Sequence, residues 1–421
     1  MPSPVARHRP GDDGPSGHKG GKPRPAERLQ RPGNPWATRR RFGVNLPIDP
    51  FAMERLPATE LTPATAEVLM QDLQQPAWRG RQLLEWVYQR KADDFDAMSN
   101  LPLAVRGRLR ERIDPRPLQL ARMQGSSDTT RKFLWRLHDG RYVETVLIPA
   151  SPALYGGRSD RLTLCVSSQV GCAYACRFCA SGLAGFTRNL STGEIVGQVV
   201  GAARHSGQRI DNLVFMGMGE PLANLGRLLP ALEILNASWG LGIGARHMTI
   251  STSGLAPQIE RLAQVPLQIR LAISLHGASN EVRDRIMPVN RRYPIERLFE
   301  ALQVWRRHKN QKLTFEYILI DQVNDGLDQA ALLGRQAREL DAKVNLIPYN
   351  TVHGLPWERP PLARQEQFLS QLRKRGVSAT LRREKGHDID AACGQLRLQE
   401  ETADGLITDT HCPQPAHNQP A

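Results

Sequence analysis

Residues 162–179 read LTLCVSSQVGCAYACRFC. The first five residues, apolar on both faces, have the composition of a strand buried on both sides of a sheet. The loop after them carries Cys172, Cys176 and Cys179 in the spacing C-x₃-C-x₂-C. Such spacing lets three thiolates wrap one face of an iron–sulfur cubane. Cubanes normally take four cysteine ligands, so three leave one iron open to a substrate or cofactor. A structural zinc centre closes four ligands, and no nearby His or Cys supplies a fourth. The other bland reading is buried, inert cysteines.

Outward from this strand and loop, short apolar runs recur at 162–166, 212–216, 247–252, 269–275, 313–320 and 343–347. They alternate with helical stretches such as 191–203 and 294–306. Apolar runs separated by helices specify parallel strands in βα units. The fold class read from this pattern is α/β, a partial (βα)6 barrel with its ligands at the carboxyl ends of the strands. Upstream, 132–137 and 142–148 flank Asp139-Gly140, a hairpin signal. Apolar residues at helical spacing over 62–113 predict a small helical accessory domain. Expected boundaries are a disordered basic tail at 1–50, the helical domain at 51–115, a β-hairpin extension at 116–155, the barrel with its C-terminal cysteine segment at 156–397, and a disordered tail at 398–421.

Net charge is +14 over 421 residues and the sequence pI about 9.9, a balance that favours polyanionic partners such as nucleic acid. Half of the excess sits before residue 46, where ten Lys or Arg face three acids. Arginines of the helical domain (Arg79, Arg81, Arg90, Arg106, Arg108, Arg110) and Lys91 contact RNA or form a solvated face. Near the strand ends, Arg188, Arg283, Arg285, Arg291 and Arg292 bind phosphates or sit in surface ion pairs. No apolar window of about 18 residues and no leading apolar segment occurs, so neither a membrane span nor a secretory signal is indicated. A cytoplasmic, monomeric enzyme with reduced cysteines is expected.

Several polar residues fall at strand ends. Met216-Gly217-Met218-Gly219-Glu220-Pro221 follows the second run, where glycines allow close backbone approach and Glu220 can accept from a cationic amine. Ser251, Ser274-Leu275-His276 and Asn350 end other runs; singly, each reads equally as a turn former. Two more cysteines stand apart from the cluster: Cys165 within the first run and Cys393 in Asp388-Ile389-Asp390-Ala391-Ala392-Cys393-Gly394-Gln395-Leu396. Alone, each reads as a small buried hydrophobe. Glu144, in Val143-Glu144-Thr145-Val146, either faces solvent or is buried with a function. Cys412 matches nothing.

Together the three-cysteine loop, the Gly-Glu loop and the run 388–396 resemble the RlmN/Cfr family of radical S-adenosylmethionine (SAM) methyltransferases that act on RNA adenines. The resemblance runs from about residue 76 to 395. It implies a [4Fe–4S] cluster on Cys172, Cys176 and Cys179, and SAM held by Gly219, Glu220, Ser251, Ser274, Leu275, His276 and Asn350. It also implies that Cys393 carries a methyl group from one SAM, that Cys165 resolves the resulting adduct as a transient disulfide with Cys393, and that Glu144 is the proton acceptor. Burial would raise the Glu144 pKa toward a useful range. The implied substrates are 23S ribosomal RNA and transfer RNA methylated at adenine C2, with a flavodoxin-like one-electron reductant as partner. C8 methylation and a radical enzyme for a non-RNA substrate are the alternatives.

Overall fold

The structure, a computed structural model, describes residues 55–126, 129–150, 161–183, 185–350, 355–382 and 395–406. The basic tail, Cys393, Cys412 and the link at 151–160 lie outside the described residues.

β1 (Leu56–Pro57) pairs in parallel with β2 (Ile113–Asp114) around α1 (Pro63–Asp72), α2 (Arg79–Leu84) and α3 (Leu103–Arg112). Thr62 starts α1 through a reciprocal cap with Thr65, with Pro63 at the first helical position, where its missing N–H costs nothing. The apolar residues at 95–101 form a single 3₁₀ turn, Phe95–Ala97. Pro102 follows, and disfavours helix in the residue before it.

β3 (Gln119–Gly125), β4 (Arg131–Arg136) and β5 (Tyr142–Pro149) form an antiparallel meander. It is one strand larger than the predicted hairpin. β6 (Leu162–Cys165) pairs antiparallel with β5 and begins the barrel. β7 (Gln169–Gly171) and β8 (Phe186–Asn189) pair across the cysteine loop and α4 (Ala180–Leu183). Then come α5 (Thr192–Ser206), β9 (Asn212–Phe215), α6 (Leu225–Asn236), β10 (Met248–Thr252), α7 (Ala256–Ala263), β11 (Arg270–Ser274), α8 (Asn280–Ile286), α9 (Ile295–His308), β12 (Thr314–Leu319), α10 (Leu327–Glu339), β13 (Lys343–Pro348), α11 (Leu362–Lys374), β14 (Ala379–Leu381) and α12 (Gln395–Ala403).

The ten-stranded sheet runs β14-β13-β12-β11-β10-β9-β6-β5-β4-β3. From β6 to β14 every neighbouring pair is parallel. Six strands occupy the predicted runs in chain order, the arrangement of a partial (βα)6 barrel, and short β14 adds a seventh. Alternate residues face opposite sides. Phe315 and Tyr317 meet the helices at Phe299 and Phe368, with ring centroids 6.0 and 5.4 Å apart, so the residues between them face the lumen. Residues 398–403, expected to be an unstructured tail, are helix α12 instead. Its Leu396 packs with Leu134 and Tyr142, and Arg397 forms a fully buried ion pair with Glu401 at 2.7 Å.

α5 begins with a capping box in which the Ser191 hydroxyl accepts from Glu194 N–H and the Glu194 carboxylate accepts from Ser191 N–H. The N-terminal helices dock here: Thr59 Oγ1 donates to Gly193 O at 2.7 Å and Gly193 N–H donates to Glu60 Oε2 at 3.2 Å. A Cβ on Gly193 would lie 2.6 Å from Pro57 Cβ. Gly193→Val is therefore expected to destabilise the fold by about 1–3 kcal/mol through overpacking. Gly226→Ala, whose Cβ would meet open space, should cause no loss. Urea midpoints followed by circular dichroism separate the two.

Candidate active site

The cysteine loop is held at both ends. Cys172 N–H donates to Gly185 O at 2.9 Å and Arg177 N–H donates to Ile286 O, at the end of α8, also at 2.9 Å. Gly171 has φ +74°, and a Cβ there would lie 1.9 Å from Gly185 O, so only glycine brings the two strands this close. The three cysteines are partly buried. Burial, and then the Cys179 sulfur and Glu220, push the Cys172 thiol up to about 12; burial likewise raises Cys176 well above its ordinary value. Grouped thiols that resist ionisation together are a donor set that a cationic iron cluster would relieve. Among the described residues, no three His, Cys, Asp or Glu side chains, these cysteines included, are drawn together closely enough to hold a single metal ion.

Beside this loop lies Glu220, buried to 4% exposure. Its Oε2 accepts from Ser253 N–H at 2.7 Å and Ser253 Oγ at 2.9 Å, and its Oε1 accepts from Leu222 N–H at 3.1 Å. Burial raises its pKa despite these bonds. Among the described residues, no cation pairs with it. Gly219, at φ +95°, passes so close to Gln169 that a Cβ would lie 2.5 Å from Gln169 Cβ. One strand further, Ser251 Oγ and Ser274 Oγ are hydrogen-bonded at 3.3 Å.

His276 has φ +56°, an uncommon conformation for a non-glycine residue. Asn324 Nδ2 donates to its carbonyl at 2.7 Å and holds it there. Ile318 N–H donates to His276 Nδ1 at 3.1 Å, so the ring proton resides on Nε2. Burial, with the Arg283 charge second, depresses its pKa to about 3. Its ring meets Phe178 of the cysteine loop edge-on at 4.8 Å.

Arg283, read from sequence as a phosphate ligand or surface residue, is fully buried. Its guanidinium donates to Leu275 O at 3.0 Å, to Asn290 Oδ1 at 2.8 Å and to Ser253 O, bracing the ends of two strands. Arg188 is engaged by Glu194 and Asp139, at 2.8 and 2.7 Å, whereas Arg285, Arg291 and Arg292 are exposed. In the helical segment, Arg90 pairs with Glu85 and Arg110 with Asp96.

Glu144 is buried at 2% exposure, which overturns its solvent-facing alternative. Its Oε2 pairs with Lys132 Nζ at 3.1 Å, and Lys132 is itself 0% exposed. Its Oε1 accepts from Arg397 N–H at 2.7 Å, in the first turn of α12. Cys393 lies outside the described residues, two positions before α12 in the sequence. Cys165 is buried on β6, paired with Val146 of β5. Ser167 Oγ donates to Glu144 O at 2.6 Å and accepts from Met218 N–H at 3.0 Å, joining β5 to the Gly-Glu loop.

The structure thus brings Glu220, Ser253, Ser251, Ser274, His276 and the cysteine loop together at one mouth. Asn350 accepts from Arg359 at 2.8 Å, and none of its described contacts is to the other predicted SAM residues. Sequence reasoning missed Lys132, Arg397 and the buried role of Arg283. No helix among the described residues is long and apolar enough to cross a membrane.

Residues 166–332 match the radical SAM superfamily model, and residues 59–114 match the ribosomal RNA large subunit methyltransferase N-terminal domain. The chain is 55% identical to a probable dual-specificity RNA methyltransferase RlmN of Akkermansia muciniphila, over 77% of this chain and 90% of that protein. It is 42% identical to the dual-specificity RNA methyltransferase RlmN of Campylobacter fetus subsp. fetus, over 77% and 94%. A crystal structure of a radical SAM methyltransferase from Sphaerobacter thermophilus superimposes with a TM-score of 0.76 at 44% identity, covering 81% of this chain and 98% of that one.

Two outcomes follow from this geometry. Lys132→Met removes the cationic partner of a buried carboxylate and should cost about 3 kcal/mol in urea denaturation; Lys132→Met with Glu144→Leu should recover most of it. His276 stays neutral in the folded chain but gains a proton in the unfolded chain below about pH 6.5. Its folded pKa is the lower one, so stability falls as pH drops from about 6.5 toward 3, by at most about 1.4 kcal/mol per unit. His276→Gln should flatten that part of the stability–pH curve.

Proposed function

The chain belongs to the RlmN family of radical SAM RNA methyltransferases, and on that premise we propose that it methylates C2 of a specific adenine in 23S ribosomal RNA and in transfer RNA, consuming two SAM molecules and passing through a methylated Cys393. The observation that carries the cofactor reading is the pairing of two features: a loop of three partly buried cysteines, two of which burial keeps protonated, and beside it a buried carboxylate, Glu220, with which no cation among the described residues pairs. Cys172, Cys176 and Cys179 would hold a [4Fe–4S] cluster. Glu220 would take the amino group of SAM over the bare backbone of Gly219, with Ser251, Ser274, Leu275, His276 and Asn350 holding the rest. When bound and reduced by a flavodoxin-like donor, cluster and SAM supply a deoxyadenosyl radical.

The protein's own residues do the remaining work. An adenine C2 is electron-poor and does not attack a sulfonium methyl, so a thiolate must first accept the methyl group. Cys393 supplies that thiolate and holds the one-carbon unit while it is joined to the ring. Glu144 removes the ring proton while the odd-electron adduct returns its unpaired electron to the one-electron carrier; Lys132 and the Arg397 N–H fix the carboxylate in place. Cys165 then attacks the Cys393 sulfur. The S–S bond forms, the S–C bond breaks, and its electron pair passes to the carbon, which is protonated as the new methyl group. The target base must be extracted from its stack, which is easiest in unpaired RNA.

Mass spectrometry of anaerobically purified protein tests this. Cys393 should carry one added methyl group, and Cys165→Ala co-expressed with cellular RNA should retain a covalent RNA adduct. Digestion of the adduct reports C2 or C8. An unmodified Cys393 and no adduct, from protein that still cleaves SAM, would overturn the mechanism.

A further inference from the structure

One buried carboxyl in the lumen takes part in none of the steps above. Register pairs Ser274 with Glu316 and Glu316 with Asn345. Phe315 and Tyr317 face the helices, so Glu316 points into the barrel beside Ser274. Asn345 Nδ2 donates to Glu316 Oε1 at 2.9 Å, and Thr380 Oγ1 donates to Asn345 Oδ1 at 2.8 Å, which fixes the amide. The other oxygen, Oε2, is buried and has no hydrogen-bond partner among the described residues, on a side chain 5% exposed that feels the Arg382 charge only through space. Burial pushes this carboxyl above the usual range. Buried polar atoms are nearly always satisfied, so an orphan on a rigid strand marks the place of an absent partner.

We propose that Glu316 binds the adenosyl ribose of SAM, its Oε2 accepting a hydrogen bond from a ribose hydroxyl. The inference rests on the SAM reading of the site and adds a residue to it. Position selects the ribose. The Glu220 and cysteine-loop side of the mouth suits the amino acid end of SAM. Ser251 and Ser274 form the middle of the row, and Glu316 is one strand beyond, about 4.8 Å further. Leu275 and His276 N–H both donate to Glu316 O, at 3.0 and 3.3 Å, so this strand is tied directly to the Ser274–His276 turn. Chemistry selects a hydroxyl: the carboxylate end of SAM would be repelled and the sulfonium has no hydrogen to donate, whereas a carboxyl oxygen suits a ribose diol.

The test measures equilibrium binding of SAM, 5′-deoxyadenosine, its 2′-deoxy and 3′-deoxy analogues and L-methionine to the anaerobically reconstituted holoenzyme, wild type and Glu316→Gln. Glu316→Gln should bind SAM and 5′-deoxyadenosine about tenfold more weakly and bind methionine as wild type does, with an unchanged cluster absorbance spectrum. Wild type should lose a similar factor with one deoxy analogue, and the variant should lose nothing further with it. Should Glu316→Gln perturb the spectrum, Glu316→Asp replaces it under the same criteria. Equal SAM affinity in variant and wild type, or equal discrimination against the deoxy analogue, overturns the assignment. Wild type that binds no SAM overturns the parent reading and this one with it.

Discussion

A parallel sheet covered by helices on one side and closed toward a lumen on the other leaves no water for a polar side chain in its middle. Each such group must find a partner in the protein or wait for one from outside. Most are satisfied internally: Glu144 by Lys132 and the Arg397 N–H, Arg283 by three carbonyl-type oxygens, Glu316 Oε1 by Asn345. Among those left over in the described residues are the Glu220 carboxylate, with which no described cation pairs, the thiols of Cys172 and Cys176, which burial keeps from ionising readily, and the second oxygen of Glu316. The cysteine loop and Glu220 follow the carboxyl ends of the neighbouring strands β6 and β9, and Glu316 lies within β12 of the same parallel sheet.

How much of this was legible in the sequence depends on how far local pattern controlled each element. The six barrel strands were readable because burial on both faces demands continuous apolar runs. β3, Gln119–Gly125, is largely exposed and carries no such run, and β14 has only three residues. α12 escaped notice because its core-facing side includes Arg397 and Glu401, whose charges cancel only once the helix is formed and docked. Lys132 was unreadable for a related reason: in Arg131–Arg136 a lysine looks like the solvent face of a hairpin, and its partner is on the next strand. The cysteine loop and Glu220 were visible as motifs. Glu316 was visible in principle, since a carboxylate inside the apolar run 313–320 raises the same question as one at 144.

Arg283 shows why residue type alone misleads at strand ends. A guanidinium there suggests phosphate, but this one spends its donors on Ser253 O, Leu275 O and Asn290. Its position is guarded by glycines: a Cβ at Gly277 would lie 2.9 Å from Arg283 N, and one at Gly254 would lie 3.1 Å from Nη2. The buried charge also helps to hold His276 neutral. A neutral ring with its proton on Nε2 can donate toward the mouth without bringing a second cation close to the one Arg283 already supplies.

The proton acceptor and the cofactor loop are mechanically one object. Ser167 bonds the Glu144 carbonyl on one side and the Met218 N–H on the other, and Gln198 closes the same knot by accepting from Ser167 N–H and Thr145 Oγ1. Glu144 in turn holds the first turn of α12 by accepting from Arg397 N–H. A displacement of the Gly-Glu loop would therefore be felt at Glu144 through two hydrogen bonds, and at α12 through one more. Groups that must act on a single base within hydrogen-bond tolerance need this kind of common anchor, because independent loops would drift by more than the geometry of proton transfer allows.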